Sequence, residues 1–323
     1  MSPGAIVVGA HVNGLGVIRA LAARGVPAVS ISTRPFDIAH HSRWVHERHA
    51  LPEFHQRHQS LVELLDRHAA RWRDWAVFPT NDDALVALSQ NHEHLSRSYR
   101  LVCPPWATAA PLIDKDRMHD LAVASGLDVP ACYGAATPAT AALPGLRFPL
   151  IVKPCRHDHL ISTFGVKLFV ATDAVALHQA IDQLASVGLD GLVFESIPGD
   201  DDEIFVYCVY LDGRGEPSPG VTVRKRRQNP PFVGGARVAE VVDEIPILRD
   251  ATVALLRRAG FRGMAFAEFK HDARTDRFVF IEVNGRPVLF NGILPPTGID
   301  LVATTRSSST ASISTARVSP RLA

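Results

Sequence analysis

No apolar run in the sequence approaches the roughly 20 residues that a membrane-spanning helix needs. The opening MSPGAIVVGAHVNGLG lacks a basic leader and its apolar stretch is short, so it reads as a first strand rather than a signal peptide. A cytoplasmic location is the expectation. Cysteine is sparse: Cys103, Cys132, Cys155 and Cys208 stand far apart without any CxxC pair. That excludes a disulfide framework or a zinc ribbon and predicts reduced core thiols. Charge of one sign is also lacking, with 34 Lys plus Arg against 33 Asp plus Glu. Such a balance provides no field to gather nucleic acid or an anionic membrane, and leaves small molecules as the expected partners.

What is abundant is apolar residue and histidine. At 323 residues and 46% hydrophobic, the chain can build about two domains with sizeable cores. Seven of the 15 histidines (His40, His41, His46, His49, His55, His58 and His68) crowd into one stretch. No HExxH or regular ligand spacing accompanies them, so solvated histidines are expected there rather than a metal centre.

Over the first hundred residues AIVVGA, GVIRALAARG, PAVSIST, LVELLDRHAARW, AVFPTND and ALVALSQN alternate strand-like and helix-like patterns. This is the rhythm of βαβ units on a parallel sheet. Gly9, Gly14 and Gly16 follow the first strand. Their spacing is wrong for GxGxxG, and Leu15 and Gly16 stand where a phosphate-binding Walker loop needs Lys and Ser or Thr. A tight strand-to-helix turn is expected, with a nicotinamide oxidoreductase as an outside reading. Thr80 to Asp83 could cap the next helix or line a crevice. Near residue 112 the character changes. Asp114 is a predicted N-cap for the helix KDRMHDLAVASG, and the strand-like segments LIVKP, VKLFVA, LVFESI, EIFVYCVYL, SPGVTVR and ARVAEVV then dominate. A second, α+β domain with mostly antiparallel sheets is predicted, followed by a Ser/Thr/Ala/Arg tail expected to be disordered.

The stretch AFAEFKHDARTDRFVFIEVNGRP predicts a hairpin. With its turn near Thr275, Glu268 lies opposite Glu282, and Asn284 shares their face. Carboxylates about 5 Å apart repel by roughly 3 kcal/mol at an effective dielectric of about 20, so a cation is expected between them. Hard oxygen donors of this kind suit Mg²⁺. The alternative is a wet face on which both glutamates point into water. Lys153 and Lys167 stand in runs that read as buried strands, bracketing the loop CRHDHLISTFG, and two such lysines suggest a clamp over phosphates. Snorkelling to the surface is the alternative for either one. Glu203 restarts an apolar strand beyond Pro198-Gly199 and could accept from ribose hydroxyls. Strand alternation would put Lys225 and Arg227 on one face, suited to a phosphate or carboxylate.

Taken in order, Lys115, Lys153-Pro154, Glu195-Ser196-Ile197-Pro198-Gly199, Glu203, Glu268 and Glu282-Val283-Asn284-Gly285-Arg286-Pro287 closely resemble the ATP-grasp superfamily over about residues 4–305. GAHVNGLGVIRAL, FPTNDDA, DKDRM and VRKRRQNPP resemble its carboxylate-amine ligase branch, which includes D-aspartate ligase-like enzymes. The resemblance implies a Rossmann-like, pre-ATP-grasp α/β domain with a parallel sheet over 1–112. A two-lobed α+β ATP-grasp domain would follow over 113–305, with lobes of about 113–195 and 196–305, and then a tail over 306–323. It implies ATP held between the lobes, with Lys115 and Lys153 on its phosphates, the loop around Gly165 and Lys167 closing over them, the Glu195, Ser196 and Ile197 backbone at adenine, and Glu203 at ribose. Glu268, Glu282 and Asn284 would carry one or two Mg²⁺ ions, for which Mn²⁺ could substitute. Arg286, with Lys225 or Arg227, would steady the transferring phosphoryl group. The implied reaction is ADP-forming ligation of a small carboxylate to an amine through an acyl phosphate, in a protein that could form a homo-oligomer.

Two features depart from that pattern. The covering loop has only Gly165, and relatives continue in helical sequence past the position of Thr305, where this chain turns Ser-rich. A non-catalytic or truncated ATP-binding protein is therefore the alternative. Missing helices would leave GILPPTGIDLVATT poorly packed, with Leu294, Ile299 and Leu301 exposed.

Overall fold

A computed structural model of the chain describes residues 3–34, 36–155, 160 and 163–307. Most of the loop 156–162 and the tail from 308 onward, where disorder was expected, lie outside the described residues. The first sheet holds β1 (Ala5–Val8), β2 (Ala28–Ser32), β3 (Val45–Ala50), β4 (Ala76–Pro79) and β5 (Arg100–Leu101), all parallel, in the order β3-β2-β1-β4-β5. Alternation along β1 divides its burial between two cores. Ala5 and Val7 join one, while Ile6 and Val8 join another beneath the helices Gln59–His68 and Asp82–Gln90. Order reverses between β1 and β4, so the crevice at their carboxyl ends is the natural ligand position of such a sheet.

The Gly9 turn lies in that crevice. Gly9 takes φ +89°, and a Cβ on Gly14 would stand 2.5 Å from the Gly9 carbonyl oxygen, so close backbone packing accounts for Gly14. The expected histidine surface is partly a packing feature. His68 stacks on the buried Trp72 with ring centroids 4.2 Å apart, and His49 meets the same ring edge-on.

Beyond residue 112 two antiparallel sheets follow. One is ordered β6-β9-β7-β8, from β6 (Cys132–Ala135), β7 (Leu150–Pro154), β8 (Phe169–Ala171) and β9 (Gly191–Glu195). It packs against the helix Ala174–Ser186. The other is ordered β12-β11-β10-β13-β14, from β10 (Ile204–Leu211), β11 (Val221–Asn229), β12 (Gly235–Val242), β13 (Gly263–Asp272) and β14 (Arg277–Asn284). Along β13, Ala265, Ala267 and Phe269 pack beneath the helices Lys115–Ala124 and Pro246–Arg258. Met264 and Phe266 on the opposite face share a core with Ala5, Val7 and Phe78 of the first sheet. Further along that second face come Glu268 and Lys270, where the packing gives way to an open cleft.

The segment after β14 differs from expectation. Leu294 and Leu301 are each 1% exposed and Val302 2%, all within the core shared with the first sheet. The 3₁₀ turns Asn291–Ile293 and Pro295–Thr297 and the helix Leu301–Ser307 fold this stretch back onto the first helix, Val12–Ala22, and Arg24 pairs with Asp300. Its apolar groups are therefore covered by residues from early in the chain, which sequence proximity does not reveal.

Candidate active site

Between the two antiparallel sheets, and open to the crevice of the first, lies a cleft of about 1430 Å³. Ordinary small-molecule pockets run to roughly 300–1,000 Å³, so the cleft has room for more than one small ligand. The hairpin β13–β14 forms its floor. Glu268 lies opposite Glu282 and Phe266 opposite Asn284, as the sequence predicts. The route to that register differs, because nearer the turn Phe269 faces Phe280 and Asp272 faces Arg277. One irregularity, which leaves Ile281 without a partner, shifts the pairing by one residue and restores the register at the glutamates.

Each carboxylate is met by a lysine of its own. Lys115 Nζ donates to Glu282 Oε2 at 2.9 Å, and Lys225 Nζ donates to Glu268 Oε2 at 2.6 Å. Lys115 reaches the floor because it opens the helix Lys115–Ala124, whose first amides at Asp116 and Arg117 are capped by Asp114. The Lys115 charge, seconded by its hydrogen bond and opposed by burial, holds Glu282 well below the usual carboxylate range. Asn284 Nδ2 donates to Glu282 Oε1 at 3.3 Å. Two carboxylates and an amide oxygen on one face are hard donors, and they fit a Mg²⁺ ion whose shell is completed by phosphates and water. Among the described residues no trio of His, Cys, Asp or Glu is placed to hold a metal without such help.

Lys153, on β7, enters from the facing sheet, with its ammonium 5.6 Å from the Phe194 ring centroid and no carboxylate at ion-pair distance among the described residues. Burial, helped by the like charge of Lys115, pushes its pKa down, as for a cation short of a counter-charge. Glu195, Ser196 and Ile197 line the cleft where β9 runs out toward β10. The Glu195 side chain itself turns to Arg274, at 3.1 Å.

Four expectations change. Arg227 is exposed and does not line the cleft, because the ladder slips by one residue between Lys225 and Arg227; Gln228 shares the face of Lys225 instead, accepting from its Nζ at 3.3 Å. Glu203 lies in a 3₁₀ turn outside the cleft lining, where His271 Nδ1 meets its Oε2 at 2.9 Å. Lys167 lines the cleft, yet it precedes β8 as an exposed residue rather than standing in a buried strand. Gly165, at φ +70°, lies outside the lining.

Arg286 does line the cleft, and its guanidinium forks onto Asp82, Nε to Oδ1 at 2.6 Å and Nη2 to Oδ2 at 2.9 Å. Burial would lower the pKa of Arg286, but the Asp82 charge outweighs it and holds it up. Asp82 opens the helix Asp82–Gln90 beyond β4, so the first sheet reaches directly into the site. In the sequence Asp82 reads only as a cap or crevice residue, and Gln228 and Lys270 have no individual signal.

No family model matches the sequence, and no curated protein does. Solved structures do resemble it. An L-amino acid ligase from Bacillus licheniformis superposes with a TM-score of 0.74 at 16% identity, over 95% of this chain and 74% of that one. A biotin carboxylase from Campylobacter jejuni, in a beta-gamma-ATP complex, gives 0.73 at 14%, over 96% and 72%. An N5-carboxyaminoimidazole synthetase from Staphylococcus aureus, complexed with ADP, gives 0.68 at 12%, over 95% and 77%. The chain has the ATP-grasp fold. Within an ATP-grasp fold, the cleft between the two antiparallel sheets is the element that brings Lys115, Lys153, Lys225, Glu268, Glu282 and Asn284 together.

Proposed function

We propose that the protein is an ATP-dependent, ADP-forming ligase that joins a carboxylate to an amine through an acyl phosphate. The observation that carries this reading is the Glu268–Glu282 pair, with Asn284 beside it, set between Lys115 and Lys225 and facing Lys153, which has no ion-pair partner among the described residues. Mg²⁺, when bound, supplies charge neutralisation for the triphosphate. Lys115 and Lys153 bind phosphate oxygens, and the backbone at Glu195 to Ile197 takes the base. A carboxylate oxygen of the first substrate bonds to the γ-phosphorus while the bond to the β,γ-bridging oxygen breaks and ADP leaves. The amine nitrogen then bonds to the acyl carbon, inorganic phosphate departs, and the nitrogen loses a proton. Arg286 and Lys225 hold the developing phosphate charge, so the protein's part is orientation and neutralisation. Arg34, Arg237, Asp82 and Asp83, also in the lining of the cleft, present charges of both signs, which suits amino-acid substrates. In this reading residues 1–112 form the pre-ATP-grasp domain and 113–305 the ATP-grasp domain.

A nucleotide-binding protein without transfer is the second reading, favoured by the engagement of Arg286 by Asp82. ADP release measured with Mg·ATP against pools of amino acids and small carboxylates separates the two. Substrate-dependent ADP supports the ligase; nucleotide binding without turnover supports the second reading.

A further inference from the structure

Lys270 has no part in the scheme above. It is 8% exposed, lines the cleft, and has no hydrogen-bond or ion-pair partner among the described residues. A lysine this buried ordinarily has a partner. Its place along β13 is informative. Asn284 lies opposite Phe266 and Glu282 opposite Glu268, so Lys270 stands two residues, about 7 Å, past the carboxylate pair and away from Asn284. It faces the connector leaving β9, where a Cβ on Gly199 would meet its Cε at 3.7 Å. Asp200, Asp201 and Glu203 surround this end with negative charge, which opposes a phosphate there.

We propose that Lys270 is a nucleoside-recognition residue, donating a hydrogen bond to an uncharged acceptor on the nucleoside, either a ring nitrogen of the base or a sugar hydroxyl oxygen. An ammonium only donates, so it can read an acceptor but not an exocyclic amine. The inference rests on the proposal that the cleft binds ATP, and it adds a donor at the nucleoside end.

Calorimetric titration of the full chain and of Lys270→Met with Mg·ADP, Mg·2′-deoxyADP and Mg·7-deazaADP tests it, with thermal unfolding run on both proteins. Wild type should bind Mg·ADP about 10-fold more tightly than the analogue that lacks the contacted acceptor, and Lys270→Met should lose that preference along with about 10-fold in Mg·ADP affinity. Loss of the preference for ADP over 2′-deoxyADP assigns the sugar; loss of the preference for ADP over 7-deazaADP assigns the ring. A variant that keeps wild-type affinity and wild-type preferences overturns the inference alone. A wild type that binds no nucleotide overturns the ATP reading with it. Should Lys270→Met fail to fold, Lys270→Leu provides the same comparison, since it likewise removes both the charge and the donor; unaltered preferences in it likewise overturn the inference.

Discussion

The carboxylate pair makes the sharpest prediction, because the structure gives both the attraction and the repulsion that Glu282→Gln removes. At 2.9 Å, Lys115 and Glu282 attract by about 6 kcal/mol at an effective dielectric of about 20. Across the ladder the two glutamates, about 5 Å apart, repel by about 3 kcal/mol on the same basis. Removing the charge at Glu282 therefore costs about 3 kcal/mol of net attraction, reduced to roughly 1–3 kcal/mol because its side chain is 32% exposed and water screens it. Lys115, only 14% exposed, is then left without its counter-charge. Adding Lys115→Met should restore at least half of the lost stability, since no buried charge remains orphaned. Turnover should behave oppositely. On the proposed roles, Glu282→Gln should lower kcat by about 10²–10³-fold, and the double variant should recover none of it, because metal and phosphate would both lose a ligand. Denaturant unfolding measures the first quantity and ADP release the second. If turnover survives Glu282→Gln, or returns in step with stability in the double variant, the glutamate is a structural partner of Lys115 and the assigned metal site is wrong.

Asp82→Asn should release Arg286 and lower kcat roughly 10–100-fold through misplacement, with Mg·ADP affinity held; an equal fall in nucleotide affinity would show that Arg286 serves binding instead. His271 is held above its ordinary pKa by its hydrogen bond to Asp276, with burial opposing and Glu203 assisting. Its contribution is thus full below about pH 6.5 and fades as pH rises through the raised value, so His271→Gln should flatten the stability profile from pH 6.5 upward by at most about 1 kcal/mol. Identical profiles for the two proteins would refute it. Gly14→Ala should cost about 1–3 kcal/mol, because its Cβ meets the Gly9 carbonyl oxygen at 2.5 Å, while leaving Mg·ADP affinity intact; loss of nucleotide binding would move the nucleotide to the first sheet. Leu301→Ala, at a position 1% exposed, should cost about 2–5 kcal/mol by unfolding, and a cost near zero would contradict the packing of the final helix.

The parts of the fold that were legible are those whose signal is local. Alternating apolar runs announced β1, β2 and β4, and Asp114 with Gly126 bounded its helix, which the structure ends with Gly126 at φ +77°. β3 was not legible, because VHERHA buries only Val45 well and reads as a polar loop. The opposition of the two glutamates followed from counting along a hairpin. That count succeeded only because the irregularity at Ile281 compensated for a turn half a residue away from where it was placed. The same counting failed on β11, where an unforeseen slip sent Arg227 outward. Such irregularities are set by packing across the sheet and leave little trace in composition. Lys270 gives no signal in sequence for a related reason: a lysine in a strand acquires meaning only when its burial and its lack of a partner among the described residues are known.

The shared core connects the first sheet to the chemistry. Met264 and Phe266 of β13 pack with Ala5, Val7 and Phe78, while Glu268 and Lys270, next along the same face, form the floor of the cleft. The strand that carries the charged site is thus anchored at one end by the first sheet, and Leu294, Leu301 and Val302 complete that anchor. Because protein cores are close-packed and transmit strain, a shift of the first sheet must be felt along β13. The Asp82–Arg286 fork spans the same boundary at the open side of the cleft. Apolar packing and a charge pair therefore fix one relative position from two directions. Among the described residues, the shared core runs from Ala5 on the first strand to Val302 on the final helix, so the two ends of the described chain meet behind the floor of the cleft.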